Sequence, residues 1–357
     1  MTDLNGIEPA FLKTADPSDM YGVICSMPRQ AREVLEIVDK TEMPLTDNAC
    51  RSLIICGMGG SAIAGDLISA YGQDMMAMPV WVQRNYGLPG WAGPNDLAVI
   101  SSYSGDTEES LSAYHQAQEN GLRILGITSG GKLKSLCQQN NNPCLIIPGG
   151  LPPRGALGYS FFGLWGMLTK LGLIKASRSE AAEAVELLET LAAEFALENP
   201  APKNQAKELA QKLQNHLPVI YSSVDSLWPV ARRWTNQINE NSKMLSYCAF
   251  FPELCHNEIV GWQELPRIRQ SAKIVMLSDR EDHGSNELRA GIISELLKTE
   301  AAEVIKVETR GQLLLARMFS AIFLGDMASY YLALLNQTDP TPVERIKFLK
   351  SKLGGGK

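Results

Sequence analysis

The chain has 357 residues, 45% hydrophobic and 20% charged, which is the balance of a globular protein and more than the ~250–300 residues one core usually serves. Two domains are therefore expected. A formal net charge of −6 supplies no positive field for a nucleic-acid backbone, so no nucleic acid is expected as partner, although a few N–H groups and one arginine suffice to hold a small anion.

Met1 to Lys13 has neither a basic n-region nor a continuous apolar run, so no signal peptide is read and a cytoplasmic protein beginning near Met1 is expected. The seven cysteines (25, 50, 56, 137, 144, 248 and 255) are odd in number and lack a CxxC pair, as reduced thiols would be. Zinc has no support in that spacing; Cys255, beside His256, reads as a small core residue. Residues 1–50 form an N-terminal helical segment in this reading.

From Arg51, short apolar runs alternate with Gly/Ser loops and helical patterns: Leu53–Cys56, Val80–Val82, Leu97–Ile100, Ile124–Ile127 and Cys144–Ile147. Unbroken apolar strands are buried on both faces, as in a doubly wound parallel sheet flanked by helices. The first domain is placed at 51–165.

Two loops in it carry chemistry. Gly57-Met58-Gly59-Gly60-Ser61 follows the first strand and opens a helix, so the backbone can approach an anion closely and its free N–H groups point at it. Gly57-x-Gly59-x-x-Ala62 also satisfies the dinucleotide fingerprint, but the next strand ends in Gln83-Arg84-Asn85 without the acidic residue a ribose needs. No organic cofactor is expected. The second loop, Ser101-Ser102-Tyr103-Ser104-Gly105-Asp106-Thr107, sets the hydroxyls of Ser102, Ser104 and Thr107 beside a helix start, a donor set for a phosphate monoester. Taken alone, those residues also suit helix caps.

An apolar helix pattern from Phe161 to Leu173 precedes a Glu/Ala-rich helix from Ser177 to Asn199, which Pro200 and Pro202 end. The second domain, 166–338, resumes the α/β pattern with strands at Pro218–Tyr221, Lys273–Leu277 and Glu303–Val307 and helices at Trp228–Lys243 and Gly284–Leu297. It reads as a divergent duplicate of the first. Glu240 lies near the end of its first helix, in a polar cluster. His256 stands in the mixed stretch Pro252–Trp262, the only one of four histidines in such a setting. The apolar stretch Leu313–Leu335 is interrupted by Arg317 and Asp326 and reads as a buried helix, so no membrane partner is expected. The tail, 339–357, opens with Pro340 and Pro342, continues as a short basic helix and ends in Gly354-Gly355-Gly356, expected to fray.

The Gly-Gly-Ser and Ser-x-Ser-Gly-x-Thr loops resemble those of sugar isomerase (SIS) domains. From Gly57 onward the chain resembles the bifunctional phosphoglucose/phosphomannose isomerase family. That resemblance implies two SIS-type domains and a phosphosugar held at Gly59, Gly60, Ser61, Ser102, Ser104 and Thr107. It also implies an aldose–ketose isomerisation through a cis-enediol, with Glu240 shuttling the proton between C1 and C2. Arg154, in the Pro152-Pro153-Arg154 segment, would stabilise the enediolate. His256, in His-Asn-Glu-Ile, would assist ring opening with a tail lysine, Lys350 or in another register Lys347. Thr341 is the candidate for leaving room at C2. A homodimer with shared active sites is implied as well, each site taking His256 from the neighbouring chain. A phosphosugar-sensing SIS regulator and an amino-sugar phosphate isomerase are the alternatives. The regulator lacks support because residues 1–50 do not read as a basic DNA-binding domain.

Overall fold

The computed structural model describes residue 4 and residues 6–43, 50–301 and 303–354. Parts of the Met1–Lys13 segment and the final Gly355-Gly356 lie outside the described residues. Helices Pro9–Ala15, Met20–Cys25 and Met27–Lys40 precede the first sheet.

That sheet comprises β1 (Leu53–Cys56), β2 (Val80–Gln83), β3 (Leu97–Ser101), β4 (Arg123–Thr128) and β5 (Cys144–Ile146), all parallel in the order β2-β1-β3-β4-β5. Every residue of β1 and β3 is buried, which explains why these strands read as unbroken apolar runs. Their register, Leu53↔Leu97 through Cys56↔Ile100, brings the two candidate loops side by side at the carboxyl ends.

The second sheet, parallel with order β7-β6-β8-β9, is built from β6 (Leu217–Ser223), β7 (Tyr247–Phe251), β8 (Ala272–Ser278) and β9 (Glu303–Glu308). Three of these strands match the expected positions. β7 was not expected: it is an edge strand with Tyr247 exposed and only Phe251 buried, so it lacks a continuous buried run. Two parallel α/β sheets flanked by helices, with a C-terminal helix, make up the expected fold class.

Helix Arg178–Glu194 starts with a capping box between Ser177 and Glu180. Helix Leu314–Leu335 is buried from Leu315 to its end, although its length and hydropathy would suffice for a membrane span. It packs against helices Arg178–Glu194, Gln205–Leu213 and Trp228–Asn241. The charges that interrupt it are paired: Asp326 takes a two-pronged ion pair from Arg233 (3.0 and 2.5 Å), and Arg317 meets Asp279 at 2.8 Å. At Gly325 a Cβ would lie 2.2 Å from the Trp234 indole nitrogen, so only glycine lets the two helices approach this closely. This contact helps fix the Trp228–Asn241 helix, whose end carries Glu240.

Candidate active site

The glycine loop turns at Gly59, whose φ of +50° lies in the left-handed region, and helix Gly59–Tyr71 begins there. A Cβ on Gly60 would stand 2.7 Å from the Pro153 carbonyl oxygen. The missing side chain thus lets the Pro152-Pro153-Arg154 segment rest on the glycine loop.

In the neighbouring loop Ser102 Oγ donates to Thr107 Oγ1 at 2.9 Å, and Gly105 N donates to Ser102 Oγ at 3.1 Å. Ser102 is buried and holds the loop's shape, whereas Ser104 is exposed and accepts from Asp106 N at 3.3 Å. Thr107 is the N-cap of helix Glu108–Glu119, and its hydroxyl makes no capping bond. The loop therefore presents hydroxyls and a helix start together.

Arg154, in the short turn Pro153–Gly155, is 6% exposed and joins three distant segments. Its Nε donates to Asn241 Oδ1 (2.7 Å), Nη1 to Glu240 Oε2 (3.4 Å) and Nη2 to the carbonyls of Pro340 (2.7 Å) and Thr341 (3.0 Å). Burial pulls the guanidinium pKa below its ordinary value, against the opposing pull of Glu240. Arg233, locked to Asp326, donates to the Arg154 carbonyl at 3.0 Å and so steadies the turn from behind.

Glu240 occupies the last turn of helix Trp228–Asn241, with its side chain 32% exposed. Its neighbour Asn241 is fully buried and bonds Ser329 Oγ at 2.9 Å as well as Arg154. The helix end at Glu240 is thus anchored through its buried neighbour, while the Glu240 carboxylate stays partly exposed. The helix ends two residues earlier than expected, with Ser242 as its C-cap and Lys243 left-handed at φ 55°. Lys243 Nζ donates to the Glu240 carbonyl at 2.5 Å and to the Pro340 carbonyl at 3.0 Å. Thr341 Oγ1 is buried beside this cluster without a hydrogen-bond partner.

Arg154 and Glu240 thus meet on a segment that rests against the glycine loop, while two expected residues stand apart from them. His256 ends the turn Glu253–His256 after β7 and is exposed, and among the described residues no hydrogen bond ties it to Arg154 or Glu240. Its segment is anchored by Glu258, which accepts from the hydroxyls of Tyr221 and Tyr247. Lys350 projects from tail helix Glu344–Gly354, where it is exposed together with Ile346, Phe348, Leu349 and Leu353.

Sequence reasoning missed Asn241, Lys243 and Arg233. Asn241 and Lys243 flank Glu240 in the quoted motif, but polar residues at a helix end ordinarily read as solvated caps.

At the carboxyl ends of the second sheet lies a cavity of about 420 Å³, lined among others by Ser223, Ser278, Asp279, Asp282, Lys306 and Thr309. Burial pushes the Asp282 carboxyl up to about 6.

A family described as bacterial phospho-glucose isomerase C-terminal SIS domain matches residues 202–353. A bifunctional phosphoglucose/phosphomannose isomerase of Caldicellulosiruptor bescii is 42% identical over 94% of this chain and 98% of its own length. One from Aquifex aeolicus is 34% identical over 85% of this chain and 90% of its own. In fold, the chain resembles a glucose-6-phosphate isomerase like protein from Thermus thermophilus, with TM-score 0.62 and 19% identity over 96% and 98% of the two chains.

Proposed function

The chain belongs to the bifunctional phosphoglucose/phosphomannose isomerase family, and on that premise we propose how its residues divide the reaction. The protein is a sugar-phosphate isomerase, interconverting glucose 6-phosphate and mannose 6-phosphate with fructose 6-phosphate. The observation that carries the proposed division of labour is the 3.4 Å contact between Arg154 and Glu240, on a segment that rests against the glycine loop through Gly60.

The phosphate sits on the Gly59–Ser61 helix start and the hydroxyls of Ser104 and Thr107, with Ser102 holding the second loop in shape. Glu240 takes the proton from C2 of the open-chain aldose and returns it to C1 of the cis-enediol. Arg154, largely withdrawn from water, stabilises the oxygen that becomes negative in between; its four protein acceptors keep it oriented before substrate arrives. Glucose and mannose phosphates differ only at C2 and pass through one enediol, so a single site serves both. The unpartnered Thr341 hydroxyl beside Arg154 supports Thr341 as the residue facing C2.

Ring opening falls to His256 and Lys350. His256 stands free of its own chain's Arg154–Glu240 cluster, which supports its delivery to the site of a second copy in a homodimer. The seven free thiols support a cytoplasmic setting. Domain limits of 51–165 and 166–338, with an N-terminal segment 1–50 and a tail 339–357, are part of the proposal. Helix Leu157–Lys170 crosses residue 165 and packs on helix Gly59–Tyr71, which favours drawing the line at that helix's end.

The test is a coupled assay of fructose 6-phosphate formation from glucose 6-phosphate and from mannose 6-phosphate, with EDTA present. Turnover of both is expected; activity confined to an amino-sugar phosphate would overturn the substrate assignment.

A further inference from the structure

Lys243 has no part in the reaction as divided above, yet its geometry is unusual. A lysine just past a helix C-cap sits where a left-handed residue is most often Gly or Asn, and its φ of 55° is uncommon for any other side chain. Its ammonium turns back on the helix end, donating to the carbonyls of Glu240 (2.5 Å) and Asn241 (3.5 Å), and also crosses to the Pro340 carbonyl at 3.0 Å. Arg154 Nη2 donates to the same Pro340 oxygen at 2.7 Å. Two cations therefore converge on one neutral carbonyl.

A lysine that served only to cap a helix would keep its charge in water and away from another cation. Here the residue is exposed, yet its ammonium donates to three carbonyls, a number that matches its three N–H donors, two of those bonds being partly buried. Pro340 and Pro342 stiffen the backbone on both sides of Thr341, and Thr341 N is tied to Asp339 Oδ1 at 2.9 Å. A pin at Pro340 is thus transmitted to helix Glu344–Gly354, which carries Lys347 and Lys350.

We propose that Lys243 is a positioning residue of the isomerase, which clamps the root of the tail to the end of the Glu240 helix and so sets where the tail lysines stand relative to Glu240. This inference rests on the assignment of Glu240 and Arg154 to the isomerisation. The groups facing Lys243 are Arg154 from the turn Pro153–Gly155, Glu240 on its own helix and Asp339 from the tail. Desolvation, reinforced by Arg154 and opposed by Asp339 and Glu240, pulls its pKa from 10.5 down to about 8. A folded-state pKa below the unfolded one means the folded chain binds fewer protons from about pH 8 to 10.5, so Lys243 adds stability as pH rises through that window. The same linkage holds for the docked tail: losing the proton relieves the desolvated ammonium, so rising pH does not by itself release the clamp.

The test compares full-length wild type with Lys243→Met and Lys243→Arg, assayed with glucose 6-phosphate from pH ~6.5 to ~9.5 around the lysine pKa. The methionine variant should lose roughly tenfold or more in kcat near pH ~7 with KM changed less than about threefold. The arginine variant, able to donate to the same carbonyls, should keep kcat within about threefold of wild type near pH ~7. Trypsin cleavage at Arg345 to Lys352, followed near pH ~7.5, should accelerate roughly tenfold in the methionine variant but stay near the wild-type rate in the arginine variant. A methionine variant with wild-type kcat, or one whose tail resists trypsin as wild type does, overturns the clamp and leaves Lys243 a helix-end donor. If the methionine variant does not fold, Lys243→Gln takes its place in both measurements and is held to the same outcomes. Wild type that turns over no glucose 6-phosphate at any pH would instead sink the isomerase assignment, and the trypsin series would still judge the clamp.

Discussion

The two sheets share one plan, yet their carboxyl ends carry opposite chemistry. Strand order reverses between β1 and β3 in the first and between β6 and β8 in the second, and each crevice lies where open α/β sheets place ligands. The first crevice offers glycine backbone and the hydroxyls of Ser104 and Thr107. In the second, the loop after β8 reads Asp279-Arg280-Glu281-Asp282, with Asp279 spent on Arg317 and Asp225 on Ser223, His283 N and Asn286. The first is the proposed seat of the phosphate, whereas the second is lined by Asp279, Asp282, Glu287 and Glu308 together with Arg280 and Lys306. The helices that follow β1 and β6 differ in the same way: Gly59–Tyr71 uses its N-terminus, where N–H groups favour an anion, whereas Trp228–Asn241 uses its C-terminal turn, where Glu240 projects. They meet through Arg232 and Asp66 at 3.8 Å. In the proposed division a repeated topology serves one composite site, whose chemistry resides in loop and helix-end residues that the topology leaves free to vary.

The strongest challenge to this division is Glu240→Gln, which keeps the shape of the helix end but removes the proton shuttle. Turnover should fall by on the order of 10²–10⁴ while KM stays within a few-fold. Near-native turnover on cyclic and open-chain sugars alike would take the base away from the second unit.

Next in size is a mixing experiment. Glu240→Gln and His256→Ala chains, each inactive alone, are combined under verified subunit exchange. If the second copy supplies His256, activity returns to about a quarter of wild type, since half the dimers are mixed and each holds one intact site of two. No recovery would confine His256 to its own chain or remove it from the chemistry.

The crevices themselves are compared by paired hydroxyl removals. Ser104→Ala or Thr107→Val should raise KM by roughly 10–100-fold, the loss of a charge-assisted donor being about 1.5–3 kcal/mol. Ser278→Ala, in the corresponding crevice of the second sheet, should leave KM unchanged; equal effects would erase the distinction between them.

The smallest effect concerns Asp282, whose carboxyl burial lifts from 3.8 to about 6. The folded chain binds more protons than the unfolded one between those values, so stability falls as pH rises from about 4 to 6. Asp282→Asn should therefore stabilise the protein near pH 7 by on the order of 1 kcal/mol after discounting for solvent screening, and by nothing near pH ~4. Thermal melts at the two pH values, with KM unchanged, would check it.

Local pattern carried much of this molecule. The buried runs of β1, β3 and β4, the glycine loop before Gly59–Tyr71 and the helix over Gly284–Leu297 were legible because burial on both faces and turn chemistry leave marks within a few residues. β7 was not, since an edge strand half open to water has no continuous apolar run. Glu240 and Arg154 were named from a motif resemblance, but no local pattern states that a guanidinium reaches a carboxylate 86 residues away, or a carbonyl 186 residues away at Pro340. Those contacts depend on helix Leu314–Leu335 lying buried between the two halves, on Gly325 admitting Trp234, and on Gly60 admitting Pro153. Periodicity reports which face of an element is buried but not what it is buried against. The elements, the loops and the residue types suited to a phosphosugar were therefore written in the sequence, whereas the meeting of Arg154, Glu240, Lys243 and Pro340 was decided by packing alone.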